Sequence, residues 1–126
     1  MHILKIKTTK KEELIDITER ISKLINIKEG ICFVYCRHAT SALFINENES
    51  GIKSDILRLL NLMVPESDWE HNKIDNNATG HLKADLLQNS IFIPIKDKKL
   101  ILGAWQTIFL CEFDGPRERE IVVYFK

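Results

Sequence analysis

The chain has 126 residues, enough for one domain, residues 1–126, with its own hydrophobic core. Apolar residues make up 44% and charged residues 29%, ordinary for a globular chain, and 18 basic residues offset 18 acidic ones. This balance gives no electrostatic pull toward nucleic acid or a membrane surface, and no window is apolar enough to span a bilayer. Leu4 and Ile6 alternate with Lys5 and Lys7 and predict a first strand from His2 to Lys7. Thr9 and Glu12 then match a capping box, and Leu14, Ile17, Ile21, Leu24 and Ile25 recur at helical spacing. Together they predict an amphipathic helix of about four turns. Gly30 interrupts the pattern. The continuous apolar run from Ile31 to Cys36 suits a buried strand, and a second strand covers Ala42 to Ile45.

The polar loop Asn46–Gly51 leads to a helix marked by Ile52, Ile56, Leu59, Leu60 and Met63, which stops before Pro65. From Glu66 to Asn77 the chain is mostly polar, with Trp69 as its one large aromatic group; long loops of this kind often carry function. A third helix is predicted from about Ala78 to Gln88, with Leu82 and Leu86 turned inward. Strands follow at Ser90–Ile95, Leu100–Leu102, Trp105–Glu112 and Glu118–Phe125, separated by the charged tip Asp97-Lys98-Lys99 and the turn Asp114-Gly115-Pro116-Arg117. The expected architecture is α+β: a mainly antiparallel, two-layer sheet structure with two to three helices.

Cys32, Cys36 and Cys111 form an odd set without a Cys-x-x-Cys pair, and Cys32 and Cys36 share one face of their strand. They read as small buried hydrophobes. With no apolar signal region in Met1–Lys5, the expected location is cytoplasmic.

The residues that carry chemistry lie in turns and at element ends. His38, His71 and His81 are acid, base or ligand candidates and could offer three nitrogens to a zinc-like ion, leaving a fourth position open. The sequence lacks the i, i+4 histidine pair of a zinc-binding helix, so isolated hydrogen-bonded histidines are the plainer alternative. Asn77 is a candidate N-cap, and the amides behind it would sit at the positive end of a helix, a natural place for phosphate. Lys83 would add charge, and Thr40 and Ser41 hydroxyl donors. Asn46, Glu47 and Asp55 offer oxygens for acid–base or metal chemistry, or serve as caps and solvated surface. Trp105 beside Gln106 offers a flat surface or fills the core. Asp114 and Arg117 form a local ion pair, or Arg117 grips an oxyanion.

These pieces, in order, resemble the YjbQ-like family. His38-Ala39-Thr40-Ser41-Ala42-Leu43 with Asn46-Glu47 is similar to its first motif, and His71 with Asn77-Ala78-x-x-His81-Leu82-Lys83-Ala84 to its second. Ser90-x-x-Ile93-Pro94-Ile95, Leu102-Gly103-Ala104-Trp105-Gln106 and Glu112-Phe113-Asp114-Gly115-Pro116-Arg117 complete the match. The chain departs from the pattern at Ala104, where Thr is usual, at Lys98, where Gly is usual, and in the hydroxyls of Ala39-Thr40-Ser41. The resemblance implies a β-sandwich, a homotrimer and, for some members, secondary thiamine-phosphate synthase activity. On that reading His38, His71 and His81 are catalytic or metal-binding. Thr40, Ser41, Asn46, Asn77, Lys83, Gly103, Trp105, Gln106, Asp114 and Arg117 would contact a small phosphorylated molecule. A divalent metal, zinc at the histidines or magnesium at Glu47 and Asp55, is the only cofactor class implied. No nucleotide, organic cofactor, nucleic acid or membrane partner is expected. The alternative is a non-catalytic trimeric binder of a metal ion or a phosphorylated metabolite.

Overall fold

A computed structural model describes all residues, Met1–Lys126. Two antiparallel sheets and three helices build an α+β fold. The strands are β1 (His2–Lys7), β2 (Glu13–Asp16), β3 (Glu29–Cys36), β4 (Ser41–Asn46), β5 (Ser90–Lys96), β6 (Lys99–Leu100), β7 (Thr107–Glu112) and β8 (Glu118–Phe125). The larger sheet has the order β1-β8-β3-β5-β6 and the smaller one β2-β7-β4. The helices are α1 (Thr18–Ser22), α2 (Ser50–Met63) and α3 (Ala78–Leu86), and Glu70–Lys73 forms a 3₁₀ turn.

Side-chain alternation separates the layers. Cys32, Val34 and Cys36 on β3, Ile91, Ile93 and Ile95 on β5, and Ile121 and Val123 on β8 all point toward the smaller sheet. Ile108 and Leu110 on β7 and Leu43 on β4 meet them there. The opposite side of β7, with Phe109 and Cys111, packs on Ala42, Phe113 and Leu60 of α2. Strand β7 is therefore covered on both faces, which explains its unbroken buried run from Ile108 to Glu112. All three cysteines are buried thiols, as expected, and burial lifts Cys32 to a pKa of about 11.

The predicted four-turn helix after Thr9 does not form as one piece. Its first half is strand β2, paired with β7 from Glu13↔Glu112 to Asp16↔Phe109, and only Thr18–Ser22 turns helical. The capping residues are bound elsewhere. The Glu13 carboxylate accepts from the amides of Thr9 and Lys10, while Glu12 is held by Lys83 and Asn61. An open edge on β7 outweighs the helical periodicity, although Ile17 and Ile21 still reach the core. In α2 the inward stripe runs through Ile56, Leu57 and Leu60, leaving Leu59 and Met63 of the expected stripe exposed. Trp105 precedes β7 rather than belonging to it, and Leu102 follows β6. Asp97 and Lys98 both have positive φ, +51° and +60°, in the tight β5–β6 hairpin, so Lys98 fills a left-handed position that favours glycine.

Candidate functional site

Two of the three histidines meet. His71, in the 3₁₀ turn, stands edge-on to His81 in α3, with ring centroids 4.5 Å apart and planes at 71°. The Nε2 atom of His71 is buried and has no hydrogen-bond partner. Buried polar atoms are rarely left so, and each such exception asks for an explanation. Close approach of α3 to the body of the fold depends on Gly80, where a Cβ would lie 2.9 Å from the Phe113 carbonyl oxygen.

His81 is the wall shared by two hollows. One, of about 440 Å³, runs along His38, Ser41, Asp85, Gln88 and Asn89; the other, of about 280 Å³, along Trp69, Glu70, His71 and Leu82. On the far wall of the first, His38 Nε2 accepts a hydrogen bond of 2.9 Å from the backbone amide of Glu120. That donor leaves the ring proton on Nδ1 of the neutral imidazole. Burial, then the nearby Arg119 charge, lower the His38 pKa below its ordinary value. Within one chain, no three His, Cys, Asp or Glu side chains converge closely enough to hold a metal ion. Within one chain His38 thus does not join His71 and His81 in such a group, and neither do Glu47 and the exposed Asp55.

The supposed anion contacts are largely engaged elsewhere. Lys83 is not a mobile charge: at 3% exposure it is buried, donating to Glu12 Oε1 at 2.9 Å and Asn61 Oδ1 at 2.7 Å. The inward side of α3 carries Lys83 and Ala84 and continues to Leu87, while Leu86, expected to face inward, is exposed. The Thr40 hydroxyl accepts from Arg119 at 2.8 Å, and the Ser41 hydroxyl pairs with the Cys36 thiol at 3.0 Å. Asn77 stands at the N-cap position of α3 without capping by its side chain. Its Nδ2 donates to Asp114 Oδ2, its Oδ1 is buried without a partner, and Asn72 Oδ1 accepts the Ala78 amide in its place. Arg117 forms the local pair, to Asp114 Oδ2 at 2.8 Å and the Asp114 carbonyl at 2.7 Å. Burial alone would raise the Asp114 pKa, but the hydrogen bonds from Asn77 and Arg117 outweigh it and hold the carboxyl below its ordinary value.

Trp105 and Gln106 belong to a different place. With Ile45, Asn46 and Glu47 they line a separate cleft of about 390 Å³. Trp105 is 76% exposed rather than a core residue, and the Gly103 amide donates to Gln106 Oε1 at 2.8 Å. Within one chain the single composite site implied by the motifs thus divides into the two hollows that meet at His81, together the histidine cleft, and a separate tryptophan cleft. Asp85, Gln88 and Asn89 were not among the expected site residues; as ordinary polar residues at a helix end they carry no distinguishing signal.

A buried ion pair also went unforeseen. Arg119 on β8 grips both oxygens of Glu112 on β7, and the Thr8 hydroxyl donates to the same carboxylate. Its sequence signal was present: Arg119 has the parity of Ile121 and Val123, and Glu112 ends an apolar run.

Fold and site together define an α+β sandwich with an imidazole-lined cleft beside a helix N-terminus. The family model for UPF0047 protein YjbQ-like matches residues 2–126, and the chain belongs to that family. A UPF0047 protein of Archaeoglobus fulgidus is 45% identical, over 95% of this chain and 96% of its own length. The UPF0047 protein YugU of Bacillus subtilis is 39% identical, with coverage of 92% and 91%. Among solved structures, a YbjQ-like protein of unknown function from Sulfolobus solfataricus superposes with a TM-score of 0.95 at 40% identity, covering 98% of this chain and 94% of its own. A family protein from Clostridium acetobutylicum gives 0.94 at 34% identity with full coverage of both chains.

Proposed function

We propose that the histidine cleft binds a small phosphorylated molecule and that the chain is a cytoplasmic metabolic enzyme acting on it. The observation that carries this reading is the orphaned, buried Nε2 of His71 beside His81, a polar atom positioned for a ligand the chain itself does not supply. His81 would contact the ligand from the shared wall, and His38, neutral with its proton on Nδ1, would donate a hydrogen bond rather than a charge.

Charge neutralisation then has to come from outside the usual cations. Lys83, Arg117 and Arg119 are paired with Glu12, Asp114 and Glu112. A divalent ion held by His71 and His81, with further ligands from the substrate or a second copy of the chain, would supply the missing positive charge. The two adjacent imidazoles suit zinc better than magnesium, which prefers oxygen ligands.

Calorimetric titration of inorganic phosphate, with and without zinc, tests the reading. Binding that is strengthened by zinc and lost in His81→Ala supports it; the same affinity in wild type and mutant rejects it. Thiamine-phosphate synthesis is the specific reaction proposed. Turnover of pyrimidine diphosphate and thiazole phosphate by the wild type, abolished in His81→Ala, is the outcome that supports catalysis. The shortage of free cations favours one alternative, a non-catalytic binder, which predicts phosphate binding without turnover.

We also propose a homotrimer. The outer face of the larger sheet exposes Ile3, Ile31, Phe92 and Tyr124, with a shallow apolar groove of about 320 Å³ among Ile31, Phe33, Phe92 and Tyr124. Such contiguous apolar surface is typical of an interface. A sedimentation mass of three chains supports this assignment, and a mass of one chain rejects it.

A further inference from the structure

The tryptophan cleft is chemically unlike the histidine cleft. Of its lining residues Ile45, Asn46, Glu47, Trp105 and Gln106, only Glu47 is charged. No basic side chain lines it, so it is a poor place for phosphate. Glu47 is intermediate in exposure as a residue, and its carboxylate takes part in no ion pair of the chain and accepts none of its side-chain hydrogen bonds. A cation that entered the cleft would find this carboxylate uncommitted to any cation of the chain.

The other groups are fixed in place around that carboxylate. Asn46 Oδ1 accepts the Glu47 amide at 2.8 Å, which ties down the backbone that carries the acid. Gln106 Oε1 accepts the Gly103 amide, clamping the turn that carries Trp105, and leaves its own amide N–H groups as donors at the rim. The indole of Trp105 is 76% exposed, although tryptophan is highly buried on average. An open indole face beside an unpaired carboxylate is the arrangement that attracts an organic cation: the ring quadrupole and the acid act on the same charge.

We propose that this cleft is a second binding site, for an organic ammonium or a positively charged aromatic ring, held between the Trp105 indole and the Glu47 carboxylate. The site is independent of the histidine cleft and of whatever that cleft binds.

The test uses benzylammonium and its neutral counterpart benzyl alcohol, titrated into the full chain and followed by the two indole N–H resonances, which Trp69→Phe assigns. Benzylammonium should move the Trp105 signal saturably and leave Trp69 in place, and benzyl alcohol should bind about tenfold more weakly. Glu47→Gln should weaken benzylammonium and narrow its advantage over the alcohol to what the Trp105 face alone supplies, while Glu47→Asp, which keeps the charge, should retain more of the difference. The spectra report directly whether each variant is folded. Equal affinity for the two probes, an unchanged affinity in Glu47→Gln, or a Trp105 signal that does not respond because a neighbouring copy covers it would overturn the proposal. Phosphate titrated in the same samples reports on the histidine cleft, so loss of the cation site alone leaves that reading standing.

Discussion

Two arginine–acid pairs bracket the turn between β7 and β8, and they differ in almost everything except chemistry. In the Glu112–Arg119 pair the side chains are 0% and 4% exposed, whereas in Asp114–Arg117 they are 17% and 53% exposed. The inner pair links both sheets through Thr8 and Thr40; the outer pair spans only its own turn. Two residues of displacement along a strand carry a charge from solvent into the core. The inner pair must be complete because neither member has water to fall back on, while the outer pair can be broken with little consequence.

The largest effect is therefore expected at the inner pair. Glu112→Gln or Arg119→Met leaves one charge buried and uncompensated and should destabilise the chain by about 3–5 kcal/mol, read from the urea midpoint. A loss below about 1 kcal/mol would mean that the pair is hydrated in solution. Lys83 tests the intermediate case, since its partner Glu12 is 26% exposed. Lys83→Met keeps most of the buried stem but strands Glu12 and Asn61, and about 1–3 kcal/mol should be lost in the same assay. Arg117→Ala should cost less than about 1 kcal/mol, and its effect should shrink further in high salt.

The smallest expected effect is a pH dependence that sharpens the same contrast, because Arg119 also acts on His38. Burial and then Arg119 hold the folded His38 pKa below the unfolded value of about 6.5. Folding therefore favours the neutral ring. Its contribution is complete above the unfolded pKa and is lost as pH falls through the lower, folded one. Stability measured against pH should fall more steeply below about 6.5 for the wild type than for His38→Gln. Parallel curves would show that His38 does not titrate with folding.

The α+β class, the buried strands and the inward cysteines were legible because alternation and apolar runs report burial directly. So were His38, His71 and His81 as candidates, since they stand in turns and at helix starts rather than in core strands. What sequence could not give was partnership. Lys83 reads as a free phosphate ligand until Glu12 and Asn61, distant in the chain, are seen to surround it. Residues 13–16 read as helix because their periodicity is local, whereas the vacant edge of β7 that claims them is supplied nearly a chain length away. Trp105 and His81 read as walls of one site because motifs record order, not distance. Arg119 is the exception, since its inward parity with Ile121 and Val123 marks a buried charge from sequence alone.

The strand order has a consequence for how the chain acquires its structure. β1 pairs only with β8, while β2 and β4 both take β7 as their strand partner. Three strands of the first half thus wait for residues 107–125, and the pairing His2↔Val123 closes nearly the whole chain into one loop. Such distant pairings slow folding, because the entropy of closing the loop is lost before the contacts form. On the ribosome the first half must remain open, its apolar strand faces uncovered, until the final hairpin emerges. Truncation just before β7 should therefore leave an aggregation-prone chain rather than a smaller folded one.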